Sequence, residues 1–204
     1  MNASTYLKGI GKFDVNEAYK LMRQNAFDSP LTFEEYAEGK GRRALKSYLK
    51  YGYIPVEDPV ADAFHKKEQV SRTLEYPYDD YALAMVAKKI GKLEDYKQLI
   101  NRSQNYKNVF DASVNMVRGR HENGDWVSPF LSDKKEYYIT EGTPRQYTFY
   151  VPHDVPGLAK LMGGAQQLEE SLDSLFTKNE YWHGNEPGHQ IPFMYNYTHS
   201  PWKT

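Results

Sequence analysis

Three stretches of this sequence carry more chemistry than packing alone requires. The first is Leu74-Glu75-Tyr76-Pro77-Tyr78-Asp79-Asp80-Tyr81. On a helix, Glu75 and Asp79 lie one turn apart, where like charges repel unless a cation or a ligand separates them. The plainer reading is a solvated acidic turn near a helix N-terminus, where the dipole favours it. The second is Tyr137-Tyr138-Ile139-Thr140-Glu141-Gly142-Thr143-Pro144-Arg145-Gln146-Tyr147. Glu141 sits among tyrosines and ahead of a helix, surroundings that would desolvate its carboxyl and favour the protonated form. A carboxyl kept protonated is what a general acid needs. An N-terminal carboxylate that merely caps the helix is the alternative.

The third stretch runs from Trp182 to Thr204. Its 23 positions hold three His, one carboxylate, two Asn, two Tyr, two Trp and three Pro. Oxygen donors beside flat apolar rings suit a polyol ligand, apolar on its ring face and rich in hydroxyls. A tight loop before a buried helix, His189 to Tyr197, with its polar tips satisfied internally, fits the same residues. Asn185 and Glu186 offer adjacent hard oxygen ligands, which favours Ca²⁺ over a transition metal. His183, His189 and His199 lack the helical spacing of a zinc site. The sequence has no glycine-rich phosphate loop and no nucleophile elbow of the G-x-S-x-G type.

Composition narrows the setting. With 204 residues, one domain with a sizeable core is expected. The 26 basic and 27 acidic residues nearly cancel. No electrostatic footprint for nucleic acid or for an anionic membrane follows from that balance. No apolar run approaches a membrane span, and Cys is absent, which removes disulfide and thiolate-metal readings. Tyr outnumbers Phe by 18 to 9, a usage that suits clefts where one end of a ring is wet.

Periodicity predicts helices to carry these stretches. Asp14 and Glu17 form a capping box ahead of Val15, Ala18, Tyr19, Met22 and Ala26. Thr32 and Glu35 suggest a second one, with Gly39 and Gly41 interrupting the helix that follows. A helix over Arg42–Tyr51 ends at Gly52, and residues 53–67 connect. Val70–Ile90 is strongly periodic, with Pro77 tolerated near its first turns. Leu93–Tyr106 follows; residues 108–140 read as irregular with a hairpin at Asn123-Gly124. Thr143–Val151, Val155–Met162 capped by Asp154, and a helix marked by Leu168, Leu172, Leu175 and Phe176 complete the pattern. The fold class expected is all-α, an arrangement of helical hairpins with long irregular loops.

Several long segments together resemble glycoside hydrolase family 92. They are SRTLEYPYDDYALAMVAKKIGK at 71–92, EGTPRQYTFYVPHDVPGL at 141–158 and GNEPGHQIPFMYNY at 184–197. YLKGIGKFDVNEAYKLMRQNA at 6–26, YGYIPVED at 51–58, NRSQNYKNVFD at 101–111 and PWKT at 201–204 extend the likeness over nearly the whole chain. The resemblance implies an inverting, Ca²⁺-dependent exo-α-mannosidase, mostly of α-1,2 linkages, acting on mannose-containing glycans such as N-glycans. It implies that residues 1–204 are a fragment of an (α/α)6 barrel, an incomplete toroid, without the family's N-terminal β-sandwich and the barrel's C-terminal end. It places the general acid at Glu141. It makes Glu186 and Asn185 metal ligands, and Glu186, His189 and Asn185 sugar-binding residues. The general base falls on an aspartate beyond Thr204, so the isolated chain is expected to be inactive. Secretion, or a periplasmic or cell-surface location, follows by the same resemblance. Thr143-Pro144-Arg145 stands where many members have Asn-Ala-Trp, and Gln190 where a second His is common, which leaves linkage preference open. A non-catalytic helical carbohydrate-binding module and a plain helical scaffold are the rival classes.

Overall fold

The computed structural model describes residues 2–29, 32, 34, 35, 41–61 and 67–204. Its organising element is a 21-residue helix, α4 (Gln69–Lys89). Residues on nearly all of its faces are buried, among them Val70, Leu74, Tyr76, Leu83, Ala84 and Ala87, as expected for a helix inside a core rather than on its surface. It is preceded by α1 (Asn2–Leu7), α2 (Val15–Phe27) and α3 (Leu45–Tyr51), and followed by α5 (Leu93–Arg102). A 3₁₀ turn over Asn105–Val109 leads into β1 (Phe110–Asp111), which pairs antiparallel with β2 (Met116–Val117). Then come α6 (Pro144–Tyr147), α7 (Val155–Met162) and α8 (Ala165–Thr177), with 3₁₀ turns at Glu186–Gly188, Ile191–Tyr197 and Pro201–Lys203. The chain is helical, with only this two-residue strand pair and an isolated bridge between Arg120 and Trp126 besides, among the described residues. That bridge closes the hairpin at Asn123-Gly124.

Three apolar clusters meet on α4. Val70 and Leu74 join the largest, with Tyr106, Tyr138, Leu158, Leu168, Leu172 and Leu175. Leu83, Ala84, Val86 and Ala87 pack with Tyr19, Ala26 and Leu99 of α2 and α5. Tyr76 packs with Leu45, Tyr48 and Ile54. Each fully buried leucine contributes roughly 1.5–3 kcal/mol. A fully buried Asp80 ties the helices together: it accepts from Arg42 Nη1 at 2.7 Å and from Arg102 Nε and Nη2 at 2.8 and 2.6 Å.

Several boundaries differ from the periodic reading, for local reasons. α1 was not expected. α2 starts as read, with Asp14 accepting from the backbone N–H groups of Asn16 and Glu17. The turn at Thr32 is present, its Oγ1 accepting from Glu35 N at 3.2 Å, while Gly39 and the helix expected around it lie outside the described residues. α3 begins at Leu45 rather than Arg42, because Ala44 adopts φ 53° and Arg42 is drawn to Asp80. Gly52, at φ 73°, ends it as expected. Pro77 lies well inside α4 and is buried there, not near its first turns. Tertiary packing therefore holds a helix that lacks one N–H. α5 stops at Arg102, whose guanidinium turns to Asp80 and to the Ala26 carbonyl. α6 ends at Tyr147, where Thr148 caps the Pro144 carbonyl with its N–H at 2.9 Å and its Oγ1 at 2.7 Å, while Oγ1 accepts from Val117 N at 3.0 Å.

Candidate active site

The first turn of a helix leaves backbone N–H groups without partners, and α4 fills them from the segment that carries Glu141. The Tyr137 and Tyr138 carbonyls accept from the N–H groups of Glu68 and Val70 at 3.2 and 3.0 Å. Ser71 Oγ accepts from Thr140 N at 2.8 Å. The next residue is Glu141, held at φ 60°, the apex of a three-residue turn closed by Gly142 N–H on the Thr140 carbonyl at 2.6 Å. A non-glycine residue in that conformation is uncommon and costs energy, and such positions concentrate at functional sites. Gly142 is required next: a Cβ there would lie 2.8 Å from Gln146 Oε1 and from the Tyr147 ring. Thr143 and Gln146 then form a capping box that starts α6.

Gln146 also brings the third stretch alongside, its Nε2 donating to the Glu180 carbonyl at 2.8 Å. From there the chain turns through Gly184, over which the Trp182 indole folds so closely that a Cβ would meet Nε1 at 2.5 Å. Asn185 is buried, 7% exposed. Its Nδ2 lies 3.4 Å from Glu141 Oε2, and its Oδ1 has no partner. Glu141, Glu186 and Thr140 line one cleft of about 220 Å³ with Glu68, Ser71, Arg72 and Glu75 of the α4 end. Tyr147 and Pro187 complete it.

Of the residues singled out in the sequence, the structure thus brings Glu141, Asn185 and Glu186 together. His189 is not among the cleft's lining residues; it stacks on His183, ring centroids 4.6 Å apart, and its Nε2 donates to the His183 carbonyl at 2.9 Å. The enclosure expected around Glu141 is absent from this chain, where Glu141 is exposed. Tyr138 points into the core and Tyr137 is 48% exposed beside Lys67. Only Tyr147 stands by it. Arg145 is engaged elsewhere, pairing with Glu180 at 2.9 Å and donating to Ser132 Oγ at 3.1 Å. Glu75 and Asp79 part company: Glu75 Oε2 accepts from Tyr150 at 3.0 Å, and Asp79 lies toward Arg42 at 4.0 Å. Glu68 and Arg72 were not anticipated, although Glu68, Arg72 and Glu75 stand at i, i+4 and i+7, one helix face.

The cleft is rich in negative charge. Glu68, Glu75, Glu141 and Glu186 face it with one guanidinium, Arg72, already paired to Glu68 at 3.1 Å. Burial pushes the Glu75 carboxyl above the usual range, and the neighbouring Asp79 adds to that. The Tyr147 hydroxyl is pushed well above its ordinary value by burial and then by the charges of Glu141, Glu75 and Glu68. Such a site is relieved by a proton, a cation or a ligand rich in donors. The unpartnered Asn185 Oδ1 and the adjacent Glu186 carboxylate are two hard oxygen donors of the kind Ca²⁺ takes. Among the described residues no group of three or more His, Cys, Asp and Glu could hold a metal by itself. A Ca²⁺ ion here would therefore complete its shell with water or ligand oxygens, which its flexible geometry allows.

Comparison with known proteins gives the chain's family. The family model described as the glycosyl hydrolase family 92 catalytic domain matches residues 1–204. A solved family GH92 α-mannosidase from Bacteroides thetaiotaomicron superimposes with a TM-score of 0.84 at 38% identity, over 98% of this chain and 25% of that one. The same enzyme is known in complex with mannoimidazole. A family GH92 inverting mannosidase from Bacteroides thetaiotaomicron gives 0.86 at 25% identity, over 98% and 29%. An uncharacterized secreted glycosidase of Arthroderma benhamiae is 30% identical over 98% of this chain and 28% of its own length. The chain spans about a quarter of the length of the relatives it matches.

Proposed function

The chain belongs to glycosyl hydrolase family 92, and from that premise we propose that its protein is an inverting, Ca²⁺-dependent exo-α-mannosidase, secreted or exported, that removes mannose from glycans. The described residues form part of an (α/α)6 barrel in this reading. The observation that carries it is the meeting of Glu141, on its tight turn, with Glu186 in one acidic cleft, and the approach of Asn185 Nδ2 to Glu141 at 3.4 Å.

Glu141 is the general acid. Its carboxyl gives a proton to the glycosidic oxygen as the bond to the anomeric carbon breaks, and it is left as the carboxylate. The turn at Thr140–Gly142 and the Ser71 anchor fix where that proton is delivered, which is worth more than raw acidity when the leaving oxygen must be met in line. Arg145, committed to Glu180, does not compete for the carboxylate. Inversion needs a second carboxylate on the far side of the sugar, roughly 6.5–9.5 Å from the acid, to activate water; that base belongs to residues beyond this chain. Glu186 and Asn185 hold the sugar, and they would hold the Ca²⁺. When bound, the ion supplies a Lewis-acidic anchor for sugar hydroxyls and offsets the charge of the cleft.

The test is hydrolysis of α-1,2-mannobiose by the full-length protein, followed by NMR. Release of β-mannose as the first product, loss of turnover on chelation and its return with Ca²⁺ are expected. Release of α-mannose, or turnover indifferent to chelator, contradicts the reading.

A further inference from the structure

Glu75 faces the same cleft as Glu141 and Glu186 but arrives from α4. Its Oε2 accepts from the Tyr150 hydroxyl at 3.0 Å, which fixes the carboxylate plane. Oε1 is left open, with no protein partner among the described residues. Arg72, one turn earlier, is already committed to Glu68 at 3.1 Å. Asp79, one turn later, is directed toward Arg42. A half-buried carboxylate without an ion pair of its own is a costly thing to keep in a fold. Nothing in the packing of α4 requires it, since the helix is secured by Val70, Leu74 and the Asp80 clasp. Acids retained in that condition concentrate where a ligand compensates them. A ligand with neutral hydroxyl donors suits it, because the cleft already offers several acceptors on facing segments.

We propose that Glu75 is a substrate-binding residue, taking a hydrogen bond from a sugar hydroxyl on Oε1 while Tyr150 holds Oε2. The inference rests on the reading of the cleft as a carbohydrate site. It gives α4 a direct part in recognition and makes Tyr150 a positioning residue behind Glu75.

The experiment has two arms, both on the full-length protein. In the first, Glu75→Gln raises KM for an α-mannoside roughly ten- to hundredfold, the loss of a hydrogen bond to a charged group. kcat changes less, and the melting temperature is kept, because the amide still accepts from Tyr150. Tyr150→Phe raises KM by a smaller factor. The second arm needs no turnover: carboxyls are amidated with a carbodiimide and read by peptide mass spectrometry, with mannose, glucose or galactose present. At least one sugar should protect Glu75, while the exposed Glu94 is labelled equally throughout. An unchanged KM in Glu75→Gln, or equal labelling of Glu75 with and without every sugar, overturns the proposal. Protection of Glu75 in a protein that cleaves no mannoside would sustain it and overturn the mannosidase reading instead. Turnover with KM unchanged and no protection would do the reverse.

Discussion

Glu141 and His153 show how much a single residue's task depends on neighbours that are distant in sequence. Gly142, Thr143 and Gln146 announce a helix start in the sequence, and that start is where it was read. The positive φ of Glu141 was not legible, since it is imposed by the Ser71 and Thr140 contact from a segment 69 residues away. The tyrosines around Glu141 were legible as residues but not as directions, and two of the three point elsewhere. His153 carries the pH prediction. Its ring lies against Tyr78, Tyr81 and Tyr106 at 6.0, 5.6 and 5.6 Å, with Nε2 on the Ser103 carbonyl at 2.8 Å and Nδ1 buried without a partner. Burial pushes its pKa below 6.5, against the weaker opposing pull of Ser103, Asp154 and Asp80. The unfolded chain therefore takes up this proton first. Stability is whole above about pH 6.5 and is lost as pH falls from there toward the folded value. The urea midpoint should drop between pH 7.5 and pH 5 by more in the native sequence than in His153→Gln. Equal drops would remove His153 from the account.

At the scale of elements, α4 is the piece whose periodicity was clearest and whose role was least visible. Its bounds were read within a residue of Gln69–Lys89. That its two halves serve different clusters, and that its N-terminal turn is filled by Tyr137 and Tyr138, follows from tertiary contacts no local pattern encodes. The same holds for the clasp: Arg42, Asp80 and Arg102 are 38 and 22 residues apart, and each alone reads as a surface charge. Removing the carboxylate leaves two guanidinium groups facing each other, one of them buried. Asp80→Asn should therefore cost on the order of 3–5 kcal/mol, measured by denaturant unfolding. A loss below about 1 kcal/mol would mean that the guanidinium groups find other partners and that α4 does not depend on the clasp. The last segment was read as a helix from His189 and is instead a 3₁₀ turn over Ile191–Tyr197. Its Ile191, Met194 and Tyr195 are buried while Phe193 and Tyr197 are exposed, so the segment is buried along one side only and winds more tightly than an α-helix.

For the whole molecule, charge balance and the helical pattern were available from composition and periodicity, and the absence of any helix long and apolar enough to span a membrane holds among the described residues. Phe193, Tyr197 and Trp202 are 60, 51 and 77% exposed, as are Ile10 and Leu21 at 63 and 56%. Apolar side chains exposed in this way are surface available for contact, and the relatives matched are about four times as long as this chain. In the proposed function Glu141 and Glu186 divide the work of one cleft, and leaving-group dependence separates their roles. In the full-length protein, Glu141→Gln and Glu186→Gln are compared on α-1,2-mannobiose and on an activated aryl α-mannoside, whose leaving group needs little protonation. Glu141→Gln should lose about 10²–10⁴ in kcat/KM on the disaccharide and far less on the aryl substrate. Glu186→Gln should lose similarly on both, because it disturbs the sugar and the ion. If the aryl substrate instead rescues Glu186→Gln and leaves Glu141→Gln inactive, the roles are reversed and the account is wrong.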